Sequence, residues 1–369
     1  MPALLEPVDP GVAKELAQKV IQLADRYKEK TGIVPAFMEV CGSHTMALAR
    51  TGIKLMLKGH VRLISGPGCP VCVTDQKQID AMIEVAESDD RIVCTFGDMM
   101  RVPGSKRSLL SAKTDGRDVR IVYSPLDAVR IAEENPDKEV IFLGVGFETT
   151  VPVLAAAIQL AAQKNVGNFS MWATTKLVQP VLRELLTVKK VKINGFLLPG
   201  HVSIVLGEKA YQFLIDEFRM PGVISGFGPV EMLSAIYKLL EIIIEDRPAI
   251  VNNYKSVVRP EGNTAAQKIM YEFFEPCDEA WRGLGVIPQS GLDIREKYDR
   301  FNAKKRFNIK VGEPKKTLCR CGDMICGIAS PEECILFGKA CTPLHPIGPC
   351  MVSTEGSCAA HYAYMREDE

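Results

Sequence analysis

The chain has 369 residues, 47% of them hydrophobic, with 45 lysines and arginines set against 45 aspartates and glutamates. That length exceeds what one hydrophobic core normally serves, and that apolar content rules out a disordered chain. The balanced charge gives no basic stripe of the kind that binds nucleic acid or an anionic membrane.

The N-terminal MPALLEPVDPGVAKEL lacks the basic and apolar regions of a secretory signal, and no 18-residue apolar run marks a membrane span. A cytosolic protein is expected. Residues 11–30 form the first helix, with Val12, Leu16, Val20 and Leu23 on one face. A strand at 35–40 ends in CGSHT (41–45), ahead of a helix over 43–58. The strand at 61–65 ends in GPGCPVC (66–72), ahead of a helix over 74–88. The strand at 92–96 ends in GDMMRVPG (97–104), and a strand at 119–123 precedes a helix over 127–135. The strand at 139–145 ends in GFETT (146–150), followed by helix 149–163, strand 168–173 and helix 178–188. The strand at 193–198 ends in PGHVS (199–203) and leads into helix 202–218. The strand at 222–225 ends in GFGP (226–229), ahead of helix 229–245.

Continuously apolar strands alternating with amphipathic helices predict an α/β protein with two doubly wound parallel-sheet domains. Their expected extents are residues 1–130 and 131–255, with crossing of the chain between them left open. The stretch EDRPAIVNNY marks the end of the second, 262–283 reads as a further helix, and the charged run 295–306 leads to a small cysteine-rich C-terminal domain within 256–369.

In open α/β sheets, sites form beyond the carboxyl ends of the strands. All six of the motifs above fall there, and together they bring cysteine, histidine, aspartate and glutamate to that edge. Cys41 ends a strand and opens a helix, with Ser43 and Thr45 as candidate N-caps. The positive end of the helix dipole favours thiolate there, the form that binds metal or attacks an electrophile. His44 is a nearby acid, base or hydrogen-bond donor. Asp98, Glu148 and His201 complete a candidate shared cleft, the competing reading being that Glu148 caps the helix starting near Thr149.

Cys69-Pro-Val-Cys72 is a lone C-x-x-C in a Gly- and Pro-rich loop, a pattern read as a redox pair in preference to half a zinc site. Seven of the twelve cysteines lie in the last 51 residues. In a reducing compartment, such clustering points to metal binding or redox chemistry. Cys319, Cys334, Cys341 and Cys358 supply four thiolates, which spacing alone assigns equally to zinc or to a 4Fe–4S cluster. Cys321, Cys326 and Cys350 offer a possible second redox pair, while Cys94 and Cys277 read as buried structural thiols. GVGFETTVP lacks the third glycine of a dinucleotide fingerprint, and neither a Walker A nor a G-x-S-x-G motif occurs.

Taken together, CGSHT, GPGCPVC, TFGDMMRVPG, GFETT and LPGHVS closely resemble the HypD family of nickel–iron hydrogenase maturation proteins, over essentially the whole chain. The resemblance implies a scaffold for an iron centre bearing two cyanides and one carbon monoxide. It also implies a partnership with a HypC-type chaperone and cyanide delivery through a HypE-type donor. By it, Cys41 is the iron ligand, shared with a cysteine of the chaperone, Cys69 and Cys72 are essential thiols, and Cys319, Cys334, Cys341 and Cys358 hold a 4Fe–4S cluster. The competing functions are a cluster-dependent thiol–disulfide oxidoreductase and a zinc-stabilised binding protein.

Overall fold

A computed structural model describes residues 10–188 and 191–366. Its strands, in chain order, are β1 (Ala36–Glu39), β2 (Arg62–Ser65), β3 (Arg91–Thr95), β4 (Val119–Ile121), β5 (Glu139–Gly146), β6 (Phe169–Thr175), β7 (Gly195–Pro199), β8 (Gly222–Ser225), β9 (Ile250–Asn252), β10 (Phe274–Trp281) and β11 (Gly285–Ile294). Two fully parallel sheets result, in the orders β2-β1-β7-β8-β9 and β4-β3-β5-β6. An antiparallel hairpin, β10-β11, stands apart.

Both faces of each sheet are buried, which is why the strands read as unbroken apolar runs. Alternation of side chains sends Met38, Phe196 and Ile224 of the first sheet, and Val93, Ile141 and Trp172 of the second, into one shared core. The opposite face of the first sheet (Phe37, Leu197, Val223) packs on Val20 and Ala24 of helix Pro10–Thr31 and on Leu233 and Ile236 of helix Pro229–Glu245. The opposite face of the second (Val140, Phe142, Met171) packs on Leu154 and Ile158 of helix Val151–Gln163, on Phe273 just before the hairpin and on Leu292 within it. The shared core also takes in Cys69, Cys72, Cys321, Cys350 and Cys358, so the cysteine-rich tail is packed into the fold and does not hang from it.

The sheets interleave along the chain. Residues 36–65 and 195–252 build the first sheet, and residues 91–175 build the second between them. The break expected near residue 130 falls inside the second sheet, between β4 and β5. EDRPAIVNNY is not a linker, because Ile250–Asn252 forms β9 against β8. The helix expected over 262–283 ends at Phe273, and the rest enters the hairpin, whose tip carries Gly283 and Gly285 at positive φ. Helices expected over 43–58 and 202–218 are broken at Gly52 and Gly207, also at positive φ. Among the described residues, no helix is long and apolar enough to cross a membrane.

Candidate functional site

In the first sheet the strand order reverses between β1 and β7, and in the second between β3 and β5. These are the two places where a doubly wound sheet opens a crevice at its carboxyl edge. CGSHT and PGHVS, far apart in sequence, end the adjacent strands β1 and β7.

Cys41 is buried and is itself the N-cap of helix Gly42–Arg50, with φ −130° and ψ 129°. Ser43 and Thr45, expected as caps, have other partners. The Thr45 hydroxyl donates to Glu39 Oε2 at 2.7 Å, and the Ser43 hydroxyl donates to Glu355 Oε1 at 2.5 Å. Glu39, the fully buried last residue of β1, also pairs with Lys54 at 2.7 Å and thereby ties the strand end to the neighbouring helix. The thiolate expected at Cys41 from the helix dipole does not form in the metal-free chain. Burial pushes the thiol up to about 11, Glu355 repels the anion further, and the N–H groups of His44 and Ser43 do not offset this.

His44 is fully buried, and its Nε2 donates to the Gly226 carbonyl at 2.9 Å. Burial lowers its pKa to about 4, so the ring is neutral near pH 7. A carbonyl only accepts, so Nε2 carries the proton and Nδ1, buried with no partner, is an acceptor. His44 therefore cannot be a second donor at this site. His201 remains exposed at the start of helix Gly200–Leu206. Both imidazoles stack on Phe227, at 4.5 and 4.1 Å between ring centroids, so one aromatic ring after β8 joins the two motifs.

The C-x-x-C loop closes on the same point. A Cβ on Gly68 would lie 2.5 Å from Cys41 Cα and 2.6 Å from its N and C, so only glycine lets this loop lie against the Cys41 backbone. Cys69 and Cys72 form a disulfide across the turn Pro70–Val73, both sulfurs buried, with Cys69 Sγ accepting from the Cys72 N–H at 3.2 Å. Glu355, from the cysteine-rich tail, covers the opposite side, where a Cβ on Gly42 would meet it at 2.6 Å.

Glu148 and Asp98 belong to the crevice of the second sheet. Glu148 is fully buried, its Oε1 accepts from the Val178 N–H at 2.8 Å, and its Oε2 has no partner. It thus holds the start of helix Val178–Val188 and not that of the helix after Thr149. Burial raises its pKa to about 7. Between Glu148 and Cys41 lies Tyr211, a buried phenol that accepts from Ser203 Oγ at 3.0 Å and lies within electrostatic reach of both. Asp98 sits on the turn Gly97–Arg101, whose Met99 and Met100 are buried; partial burial raises its pKa, and the N–H groups of Met99 and of Asp98 itself donate to it. The structure thus gathers Cys41, His44, His201, Cys69 and Cys72, and places Glu148 and Asp98 at the carboxyl ends of the second sheet's strands β5 and β3.

In the tail, Cys319, Cys334, Cys341 and Cys358 line one pocket together with Cys321. Cys319 Sγ lies 3.3 Å from Cys321 Sγ, and Cys321 in turn bonds Cys350. The Ile347 N–H donates to Cys341 Sγ at 3.3 Å. Cys326 faces the Gly283 carbonyl at 3.8 Å. Among the described residues, no three Cys, His, Asp or Glu side chains crowd closely enough to hold a lone metal ion.

The family model for HypD, described as the hydrogenase formation hypA family, matches residues 12–365. The chain belongs to the HypD family. It is 43% identical to hydrogenase maturation factor HypD2 of Bradyrhizobium diazoefficiens, covering 97% of this chain and 95% of that one. It is 41% identical to hydrogenase maturation factor HypD of Escherichia coli, over 95% and 96% of the two chains. It is 40% identical to a putative hydrogenase expression/formation protein of Methanocaldococcus jannaschii, over 97% and 98%. It is therefore a HypD-type hydrogenase maturation factor. Sequence reading missed Glu39, Phe227 and Glu355 at this HypD site. The first had a visible signal, a carboxylate ending an apolar strand.

Proposed function

We propose that this HypD-family chain is the scaffold on which the iron centre of a nickel–iron hydrogenase is assembled, with the iron, as cargo, bound at Cys41. The observation that carries this reading is the convergence on Cys41 of the CGSHT, PGHVS and GPGCPVC motifs and of Glu355. A soft thiolate suits iron bearing cyanide. Binding displaces the thiol proton, which Cys41 otherwise holds to about pH 11. His201, exposed beside it, is the side chain free to donate to a cyanide nitrogen. A HypC-type chaperone would supply a second thiolate from the open side, and a HypE-type partner would bring the cyanide.

The four tail cysteines suit a 4Fe–4S cluster. All four line one pocket, the arrangement that four thiolate ligands of one multi-iron group need. Bound there, it would supply single electrons. The Cys69–Cys72 pair would cycle between disulfide and dithiol, and the interaction of Cys321 with Cys350 supports these two, among Cys321, Cys326 and Cys350, as a second thiol pair of the tail. Burial of Cys69 and Cys72, 4% and 2% exposed, argues against a stand-alone reductase of other proteins' disulfides, since a disulfide held in a folded protein, unlike a small dithiol, could not be brought up to them in line.

The test is Cys41→Ala. It should abolish hydrogenase maturation in cells while the purified variant keeps its fold and the visible absorption of the tail. A variant that still matures hydrogenase overturns the assignment.

A further inference from the structure

The tip of the β10-β11 hairpin is wedged between the C-x-x-C turn and the tail. On one side Gly283, at φ +81°, abuts Gly322, where an added Cβ would come within 2.5 Å of the Gly322 Cα. On the other side Arg282 grips the turn. Its Nε donates to the Cys72 carbonyl at 3.1 Å, its Nη2 to the Thr74 carbonyl at 2.8 Å, and its Nη1 to Gln76 Oε1 at 3.1 Å. Its main-chain N–H donates to the Val73 carbonyl at 2.9 Å. One residue thus satisfies three successive carbonyls at the end of Pro70–Val73, a helical turn too short to hold itself.

We propose that Arg282 is the positioning residue of the Cys69–Cys72 pair, holding the two thiols at closing distance when the disulfide is open. The inference rests on the reading of that pair as redox-active. In the oxidised state the S–S bond fixes the turn. In the reduced state the turn keeps its own bonds, from the Val73 N–H to the Cys69 carbonyl at 3.1 Å and from the Thr74 hydroxyl to the Pro70 carbonyl at 2.8 Å, and the hairpin contacts, of which Arg282 supplies four hydrogen bonds. Loss of the guanidinium loosens the dithiol more than the disulfide, lowers the effective concentration of one thiol at the other, and makes the disulfide easier to reduce. Lysine keeps the charge but not the planar fork, so it does not substitute.

The whole chain is equilibrated anaerobically in graded ratios of reduced to oxidised dithiothreitol. There the Cys69–Cys72 bond breaks as the cyclic disulfide of dithiothreitol forms, which balances the two electrons and two protons. Alkylation and mass spectrometry then read the fraction of open pair. Arg282→Gln should favour the open pair by about tenfold, a shift of about 30 mV to less negative potential. Arg282→Lys should shift the same way, whereas Arg183→Gln, which removes a surface ion pair with Glu217, should not. If Arg282→Gln fails to fold, Arg282→Lys carries the test alone. Variants that titrate with the wild type, or shift the opposite way as loss of a thiolate-stabilising charge would dictate, overturn the inference alone. A wild-type pair that stays open at every ratio overturns the redox reading and this inference with it.

Discussion

Replacing Glu148 by glutamine isolates the energetics of the second crevice. Glu148 is fully buried and one of its oxygens has no partner, so burial lifts its pKa from 4.5 to about 7. A carboxyl whose folded pKa lies above its unfolded value favours folding in its protonated form. Its contribution is complete below about pH 4.5 and is lost as pH rises through about 7. The shift corresponds to about 3 kcal/mol of pH-dependent stability. His44 acts in the opposite sense, because its pKa falls from 6.5 to about 4 and its contribution is lost as pH drops through that window. The wild-type profile alone therefore mixes the two, and only the difference from Glu148→Gln separates them. The amide keeps the acceptor for the Val178 N–H and places an unpartnered NH₂ where the carboxyl has an unpartnered oxygen. Urea unfolding from pH 5 to pH 8 should show the variant gaining most of that ~3 kcal/mol relative to wild type. A difference that stays flat across this range means that Glu148 does not titrate in the folded chain, and refutes the reasoning.

Three further outcomes follow from the site. Gly68→Ala drives a Cβ into the Cys41 backbone and should cost about 1–3 kcal/mol, while disturbing metal binding at Cys41 more than Glu148→Gln does; equal metal affinity to wild type would mean that the two loops are not coupled. Glu355→Gln removes the carboxylate that, after burial, opposes ionisation of Cys41, so the pH midpoint for alkylating that thiol should fall below that of the wild type; an unchanged midpoint would separate Glu355 from the site. Single alanine variants of Cys319, Cys334, Cys341 or Cys358 should each lose the visible absorption and most iron of the anaerobically purified protein, and stoichiometric zinc without sulfide in the wild type would contradict the cluster.

The central strands β1, β3, β5, β7 and β8 were readable because burial on both faces writes each as a mostly apolar run, with Gly-rich punctuation after most of them, whereas the edge strands β2 and β4 are only partly buried. That same logic placed Cys41, His44, His201, Cys69 and Cys72 at strand ends. It could not tell which ends adjoin, since pairing of β1 with β7 depends on a crossover through the whole second sheet. Asp98, at the end of β3, lies on the other sheet from Cys41 and His201, which strand-end logic alone could not show. The hairpin was missed because Phe273-Phe274 and the charged residues after them keep a helical spacing, and the glycines of its tip were the overlooked signal. Nothing local marks Glu355, whose partner Ser43 lies 312 residues away. The expected Cys41 thiolate failed because the dipole of one short helix is weaker than complete desolvation.

The central claim, that iron is assembled at Cys41, is tested most directly by the infrared spectrum of the anaerobic complex with its HypC-type chaperone. The wild-type complex should show stretching bands of iron-bound cyanide and carbon monoxide, and the Cys41→Ala complex should show neither while keeping its tail absorption. Bands that persist in Cys41→Ala, or that are absent from an active wild-type complex, would contradict the account.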